Sequence, residues 1–136
     1  MIEITHQTIE HEKLLAFCRN HECGAVVLFL GTVRDFSDGM PSQSLDYQAY
    51  EPMAIKCMEE ICQKAKSLWN LGKIALVHRL GHLELGETSV AVCTSSAHRT
   101  EAFQACQYVM EELKKHVPIW KKENRPDGKS NWTHPE

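Results

Sequence analysis

The chain has 136 residues, of which 15 are Lys or Arg and 18 are Asp or Glu, so its formal net charge is −3. That length suits one globular unit, and we predict a single domain over residues 1–136. Hydrophobic residues make up 43% and charged residues 24% of the chain, which excludes a disordered, collagen-like or wholly coiled-coil protein, and the mild acidity argues against one that coats nucleic acid.

The sequence shows no membrane, export or metal-binding signal. Its longest apolar run, residues 25–30, is far shorter than the ~20 residues of a membrane helix, and the N-terminus does not resemble a signal peptide, so we expect a cytoplasmic protein. The six cysteines include no C-x-x-C pair, which predicts reduced thiols, and Cys93 within an apolar strand is interpreted as a core thiol rather than a sulfur carrier. His78 and His82 flank a turn, so no metal site is predicted.

The first part of the chain predicts strands around one helix. Residues 2–4 alternate in polarity and predict a strand, and residues 9–18 predict a helix. A continuous apolar run over residues 24–33 predicts a strand that is buried on both faces. Turn residues predict a loop over residues 34–41, and the alternation through residues 45–49 predicts another strand.

The second part begins with a helix that Pro52 opens and that ends near residue 70. Two strands then follow over residues 73–80 and 88–95, with a connection through residues 81–86 between them. A third helix over residues 97–116 comes next, for which Ser95 or Ser96 is the candidate N-cap.

The last residues predict a hairpin in which residues 119–123 pair with residues 130–133. The whole order, βαββαββαββ, predicts an α+β domain with a mixed sheet.

Positive charge concentrates near the C-terminus. Residues 113–129 contain six basic and two acidic residues, a local charge of +4, which leaves −7 on the rest of the chain. Such a segment indicates an anionic ligand or partner, although lysines that only complement a helix end would give the same pattern.

Two strand ends also carry positive charge. His98 and Arg99 open the third helix, where an anion on free backbone N–H groups would offset their unfavourable interaction with the helix dipole; alternatively, Arg99 pairs with Glu101. Arg34 directly follows an apolar strand, which indicates either a ligand contact or an ion pair with Asp35.

Several motifs in one collinear order resemble a known family. Residues 29–34, FLGTVR, resemble the FxGxVR signature of the large, catalytic subunit of molybdopterin synthase. The similarity covers about residues 24–132 and continues through LDYQAY at 45–50, HRLGHL at 78–83, AHR at 97–99 and PIWKKE at 118–123.

This resemblance implies a sulfurtransferase of molybdenum cofactor biosynthesis. In that family, sulfur passes from the C-terminal Gly-Gly thiocarboxylate of a small ubiquitin-like subunit to cyclic pyranopterin monophosphate, which forms the dithiolene of molybdopterin. The implied fold is an α+β domain with an α/β hammerhead. The implied assembly is a heterotetramer, in which a central dimer of large subunits carries one small subunit at each end. No metal or organic cofactor is implied.

The resemblance also implies the site residues. Lys114 and Lys121 match the two catalytic lysines, with Lys114 expected at the terminal carbonyl of the tail and Lys121 expected to exchange protons at the pterin. The implied substrate-binding residues are Thr32, Val33, Arg34, His98, Arg99, Lys122 and Glu123, of which Arg34, His98 and Arg99 would hold the phosphate and Lys122 and Glu123 would extend the pocket wall.

One distance suggests a shared site. His98 and Lys114 lie 16 residues apart on the predicted helix, which separates them by about 24 Å at ~1.5 Å per residue. We therefore predict that His98 and Arg99 of one protomer meet Lys114 and Lys121 of its mate. The alternative function is a non-catalytic module that binds a ubiquitin-like partner or a phosphorylated ligand. Members of that family often continue with a basic tail beyond the position of Glu136, so a tail-borne substrate contact stays open.

Overall fold

A computed structural model describes residues 1–37 and 39–134 of the chain. The helices are α1 (His11–Cys18), α2 (Glu51–Leu68) and α3 (Arg99–His116). The strands are β1 (Ile2–Thr5), β2 (Ala25–Thr32), β3 (Phe36–Ser37), β4 (Met40–Pro41), β5 (Ser44–Ala49), β6 (Ile74–Arg79), β7 (Gly81–Glu84), β8 (Thr88–Ser96), β9 (Ile119–Asn124) and β10 (Trp132–Thr133). Among these residues, no helix combines the length and the apolar character that a membrane crossing requires.

The strands form two four-stranded sheets and a small hairpin. The first sheet has the order β1-β6-β8-β2, in which β1 runs parallel to β6 and the other neighbours are antiparallel. The second sheet has the order β10-β9-β5-β7 and is antiparallel, and β3 pairs with β4. Helices beside a mixed sheet confirm the predicted α+β class, and the pairing of β9 with β10 confirms the predicted hairpin.

Two predicted connections contain strands. Residues 81–84 form β7, because Gly81 has φ +93° and turns the chain directly after β6, so that it leaves the first sheet and joins the second. The predicted loop over residues 34–41 contains the hairpin of β3 and β4, while Asp38 within it lies outside the described residues.

The predicted burial of β2 on both faces is wrong. The strand lies at the edge of the first sheet, none of its residues is fully buried, and the Phe29 side chain is 41% exposed. Its apolar residues instead divide between two layers: Val27 packs against the main core, and Leu28 and Leu30 pack against the cluster beneath α1.

The first sheet separates two hydrophobic clusters. Leu76 and Val92 face the main core, which α2, α3 and the second sheet complete. Ala75 and Cys93, their neighbours along β6 and β8, face the smaller cluster beneath α1. This alternation follows from the two-residue repeat of a strand, and α3 packs over β8 and β2.

The start of α3 differs from the prediction. His98 occupies the N-cap position, so the predicted cap at Ser95 or Ser96 is wrong. Both serines still belong to β8, where the Ser95 hydroxyl accepts a hydrogen bond from the Lys73 backbone N–H at 3.0 Å. The His98 side chain makes no capping hydrogen bond to the first turn of α3.

Candidate active site

A cavity of about 330 Å³ opens where the end of β2 and the last turn of α3 meet the second sheet. Its lining includes Thr32, Arg34, Lys114, Lys121 and Glu123. These five predicted site residues come from three separate segments of the chain, and the fold brings them to one concave surface.

An irregularity in β2 shapes one wall. The pairing of β2 with β8 is regular up to Gly31, which lies opposite Val90, and then shifts between Gly31 and Thr32. A Cβ atom on Gly31 would lie 2.6 Å from Cγ1 of Val90, so any larger residue here would force the Val90 side chain to move. Bulges of this kind re-aim the side chains that follow them, and here Thr32 is among the lining residues.

Val33 fixes the backbone between the two lining residues Thr32 and Arg34. Its side chain is buried, its N–H donates to the Glu87 carbonyl oxygen at 2.9 Å, and its carbonyl accepts from the Gly86 N–H at 2.7 Å. Val33 itself does not line the cavity. Arg34 is exposed and forms no ion pair with Asp35 or with any other described residue, so its guanidinium remains available to a ligand.

Alternation along two paired strands places the next two charges. Lys121 and Glu123 of β9 lie opposite Tyr47 and Leu45 of β5, and all four side chains face the cavity. The Lys121 Nζ lies 3.4 Å from Oε1 of Glu123, with 27% and 13% of the two side chains exposed. The carboxylate partly balances the lysine charge and holds the ammonium at the wall.

Lys122 lies on the other face of the same strand. Its Nζ is 3.8 Å from Oδ2 of Asp46 and 5.4 Å from the centre of the Trp132 ring, and it lines a different, more open pocket. Lys122 therefore does not line the cavity beside Lys121, because consecutive strand residues point to opposite faces.

Lys114 reaches the cavity from the last turn of α3. Ala102, Cys106 and Val109 bury one face of this helix, and Leu113 and Lys114 then line the cavity. A positive charge at this end of the helix interacts favourably with the helix dipole. Lys114 is exposed, so a ligand that arrives from solvent can contact it.

His98 and Arg99 lie at the opposite end of α3 and do not line this cavity. Both are exposed, and within residues 1–37 and 39–134 neither forms an ion pair, so the alternative pairing of Arg99 with Glu101 is absent. Within one chain, the helical rise of about 1.5 Å per residue separates His98 from Lys114 by about 24 Å along α3.

The buried part of the cavity lining, its floor, includes polar residues that were not predicted as site residues. Tyr47, His78 and Ser89 lie there, and the rings of Tyr47 and His78 meet edge to face with centres 5.0 Å apart. Burial raises the pKa of Tyr47 and lowers the pKa of His78 to about 4. Two sequence signals could have pointed to these residues. Tyr47 lies two residues after Leu45 and so shares its face of the strand, and His78 begins the HRLG motif.

A family model described as MoaE protein matches residues 4–116. The chain belongs to the MoaE family. It is 42% identical over 130 residues to the molybdopterin synthase catalytic subunit of Arabidopsis thaliana, with 94% of this chain and 66% of that relative covered.

Solved structures support the same family assignment. The X-ray structure of molybdopterin synthase from Staphylococcus aureus superposes with a TM-score of 0.91 at 38% identity, covering 97% of this chain and 96% of that one. A complex of subunits 1 and 2 of the molybdopterin-converting factor from Helicobacter pylori shares the fold, with a TM-score of 0.77 at 24% identity and coverage of 98% and 90%. The predicted family, fold and activity are confirmed: the function is that of a molybdopterin synthase catalytic subunit, a sulfurtransferase.

The part of the chain that the structure describes contains no group of three or more His, Cys, Asp or Glu side chains that could hold a metal ion. His82 lies away from His78, with its Nδ1 3.1 Å from Oδ1 of Asp46 and its Nε2 3.0 Å from Oε1 of Glu84. The six cysteines are free thiols.

Proposed function

We propose that the cavity holds cyclic pyranopterin monophosphate beside the C-terminal thiocarboxylate of a small ubiquitin-like subunit. The observation that carries this proposal is that Arg34, Lys114 and Lys121 line one cavity of about 330 Å³. The two ligands are both anions, and their repulsion at close range is offset only where cations surround them. A thiocarboxylate is itself a good nucleophile, so the transfer needs no cysteine from this chain.

The two lysines would serve the two ligands. Lys114 is exposed at the cavity mouth, where it would contact the terminal carbonyl of the tail and stabilise the charge that develops as sulfur leaves. Lys121 is partly covered beside Glu123 and would exchange protons at the pterin. Thr32 and Arg34 would bind the substrate, and Val33 would act by fixing the backbone between them.

Phosphate binding would be shared between protomers. Arg34 suits bidentate contact with a phosphate, and the uncapped start of α3 at His98 and Arg99 suits an anion. Since these two residues lie at the far end of α3 from Lys114, we propose that the second protomer of a dimer supplies them. The Helicobacter pylori structure is a complex of subunits 1 and 2 of the molybdopterin-converting factor, which supports a small-subunit partner, and we expect a heterotetramer with one small subunit at each end of the dimer.

Three further expectations complete the proposal. The chain would act as one domain over residues 1–136, of which Asp38, Pro135 and Glu136 lie outside the described residues. It would work in the cytoplasm, where six free thiols stay reduced. The predicted contact of Lys122 with substrate stays a prediction, although its open pocket lies apart from the cavity.

Reconstitution tests the function directly. The chain is combined with a thiocarboxylated small subunit and the cyclic pterin, and dithiolene formation is measured. We expect turnover by the native chain and a loss of about 100-fold or more in Lys114→Ala. Tight partner binding without product would favour the alternative of a non-catalytic binding module, and undiminished turnover of Lys114→Ala would contradict its assigned role.

Mixed dimers test the sharing. Inactive His98→Ala and Lys114→Ala chains are mixed, and we expect recovered activity because one of the two sites in each mixed dimer is intact. Lys114→Ala mixed with Lys121→Ala is the matched control and should recover nothing, since both residues belong to the same half of a site. No recovery in verified mixed dimers of the first pair would contradict sharing.

A further inference from the structure

His78 is a buried polar residue on the cavity floor that none of the roles above uses. It lies near the end of β6, is 3% exposed, and lines the cavity beside Tyr47 and Ser89. Its ring meets the Tyr47 ring at an interplanar angle of 72°, which fixes the plane of the imidazole. A polar group at this depth is expensive to bury unless it has a partner.

One ring nitrogen of His78 has its partner in the protein. Its Nδ1 lies 2.9 Å from the Arg79 carbonyl oxygen, and a carbonyl can only accept, so Nδ1 carries the hydrogen. Burial lowers the pKa of His78 to about 4, which leaves the ring neutral near pH 7. The other nitrogen, Nε2, then carries a lone pair and acts as a hydrogen-bond acceptor.

The Nε2 atom belongs to a side chain that lines the cavity. Among the described residues it has no hydrogen-bond partner. The side-chain polar atoms that are fully enclosed without a partner belong to His11, Arg79 and Glu101, so Nε2 is not sealed within the core. An accessible acceptor on a side chain that lines the cavity is placed to meet a donor on whatever the cavity binds.

We infer that His78 is a substrate-contact residue whose Nε2 accepts a hydrogen bond from an N–H group of the pterin. The inference rests on the proposed function, which puts the pterin in this cavity. A pterin presents ring N–H and amino donors, whereas Arg34, Lys114 and Lys121 are donors only and cannot satisfy them. A neutral acceptor meets those donors and adds no negative charge to a site that must hold two anions.

The weak basicity of a buried neutral imidazole makes binding, rather than proton transfer, the role of His78. An interaction that is equally strong in the ground state and the transition state changes KM and leaves kcat unchanged. The inference therefore predicts a specific split between the two kinetic constants, which a merely structural role would not produce.

Three variants test this split in the reconstituted complex. In His78→Asn the shorter amide can still donate to the Arg79 carbonyl but offers no acceptor at the Nε2 position, so KM for the cyclic pterin should rise about tenfold while kcat stays within about twofold. His78→Gln returns an oxygen near that position and should recover most of the loss. His82→Asn is the matched control, because its side chain lies outside the cavity, and KM should not change.

The native protein provides a second measurement that needs no variant. With ¹⁵N-labelled histidine, the Nε2 resonance of His78 should move when the cyclic pterin saturates the complex, as expected for a lone pair that gains a donor. An unchanged KM in folded His78→Asn, or an unmoved Nε2 resonance while the native complex binds and turns over the pterin, would overturn this inference alone. A native complex that neither binds nor converts the pterin would overturn the proposed function as well.

Discussion

The two faces of the second sheet carry similar side chains in different surroundings. On one face Lys121 lies 3.4 Å from Glu123, and on the other Lys122 lies 3.8 Å from Asp46. The first pair lines the concave cavity beneath β2 and α3, whereas the second lies in an open pocket beside Trp132. Adjacent lysines of one strand thus differ in what they can bind, although their residue type is the same.

The two faces differ in shape and, to a smaller extent, in exposure: the Lys121 and Lys122 side chains are 27% and 31% exposed, and those of Glu123 and Asp46 are 13% and 25% exposed. Lys122 rests over the Trp132 ring at 5.4 Å, and its ion pair with Asp46 is partly exposed, so solvent screens the charge. The Glu123 side chain is only 13% exposed, and the cavity walls keep part of the water away from Lys121. Electrostatic interactions are stronger where water is excluded, so a cation on the cavity face has more effect on a bound anion.

The sharpest test of the comparison is to remove each lysine in turn. We expect Lys121→Ala to lower kcat by about 10²–10³-fold, since it removes a positioned donor from the reacting centre. Lys122→Ala, the matched control, should change kcat/KM by less than about threefold because it lies on the opposite face. Steady-state dithiolene formation measures both, and equal losses would remove the distinction between the faces.

The next largest expected effect is the dependence of the free energy of unfolding on pH that His78, on the cavity side, causes. The pKa of His78 is about 4 in the folded chain, below its ordinary value of 6.5, so the unfolded chain takes up the proton first as pH falls. Its contribution to the free energy of unfolding is therefore present above about pH 6.5 and is lost towards pH 4, by about 2 kcal/mol between pH 7 and pH 5. Urea unfolding at both pH values should show this loss in the native chain.

The control for that measurement is His78→Phe, which keeps an aromatic ring on Tyr47 and cannot titrate. Its free energy of unfolding should fall by about 2 kcal/mol less than that of the native chain between pH 7 and pH 5. An identical pH dependence in the two proteins would show that the His78 ring is not the titrating group.

A smaller effect is expected from the two carboxylates. Glu123→Gln removes the charge that holds Lys121 at the wall, and we expect kcat/KM to fall about tenfold. Asp46→Asn makes the equivalent change on the open face and should alter kcat/KM by less than about twofold. Comparable losses in the two variants, measured in the same assay, would argue that Glu123 does not act through Lys121.

The smallest effect concerns His82 on the open face, and its sign is opposite to that of His78. Hydrogen bonds to Glu84 and Asp46 raise the pKa of His82, so its contribution to stability is present below the unfolded pKa and is lost as pH rises through the folded one. The side chain is 51% exposed, so solvent screening keeps the contribution below about 1 kcal/mol. Urea unfolding of His82→Asn at pH 5 and pH 8 checks the sign, since the variant should lose more stability at pH 5.

The family motifs could be recognised in the sequence itself. Local pattern also predicted the three helices and the hairpin at residues 119–133, because periodicity and turn residues act over a few positions. The family resemblance, rather than local pattern, assigned Lys121 to the site. Tertiary structure decided the rest. The edge position of β2, the strand at residues 81–84 and the direction of Lys122 depend on which strands pair, and pairing joins residues that are distant in sequence.

The sequence by itself thus determined the charges, the three helices, most of the strands and the chemistry of the family to which this chain belongs. Only the fold determined that Lys114, Lys121 and Arg34 share a cavity while His98 and Arg99 lie at the other end of α3. The same is true of the His78 acceptor, which exists because the Arg79 carbonyl binds one nitrogen and the cavity leaves the other open. The physical reason is that residue types fix what a side chain can do, whereas burial, register and packing fix what it meets.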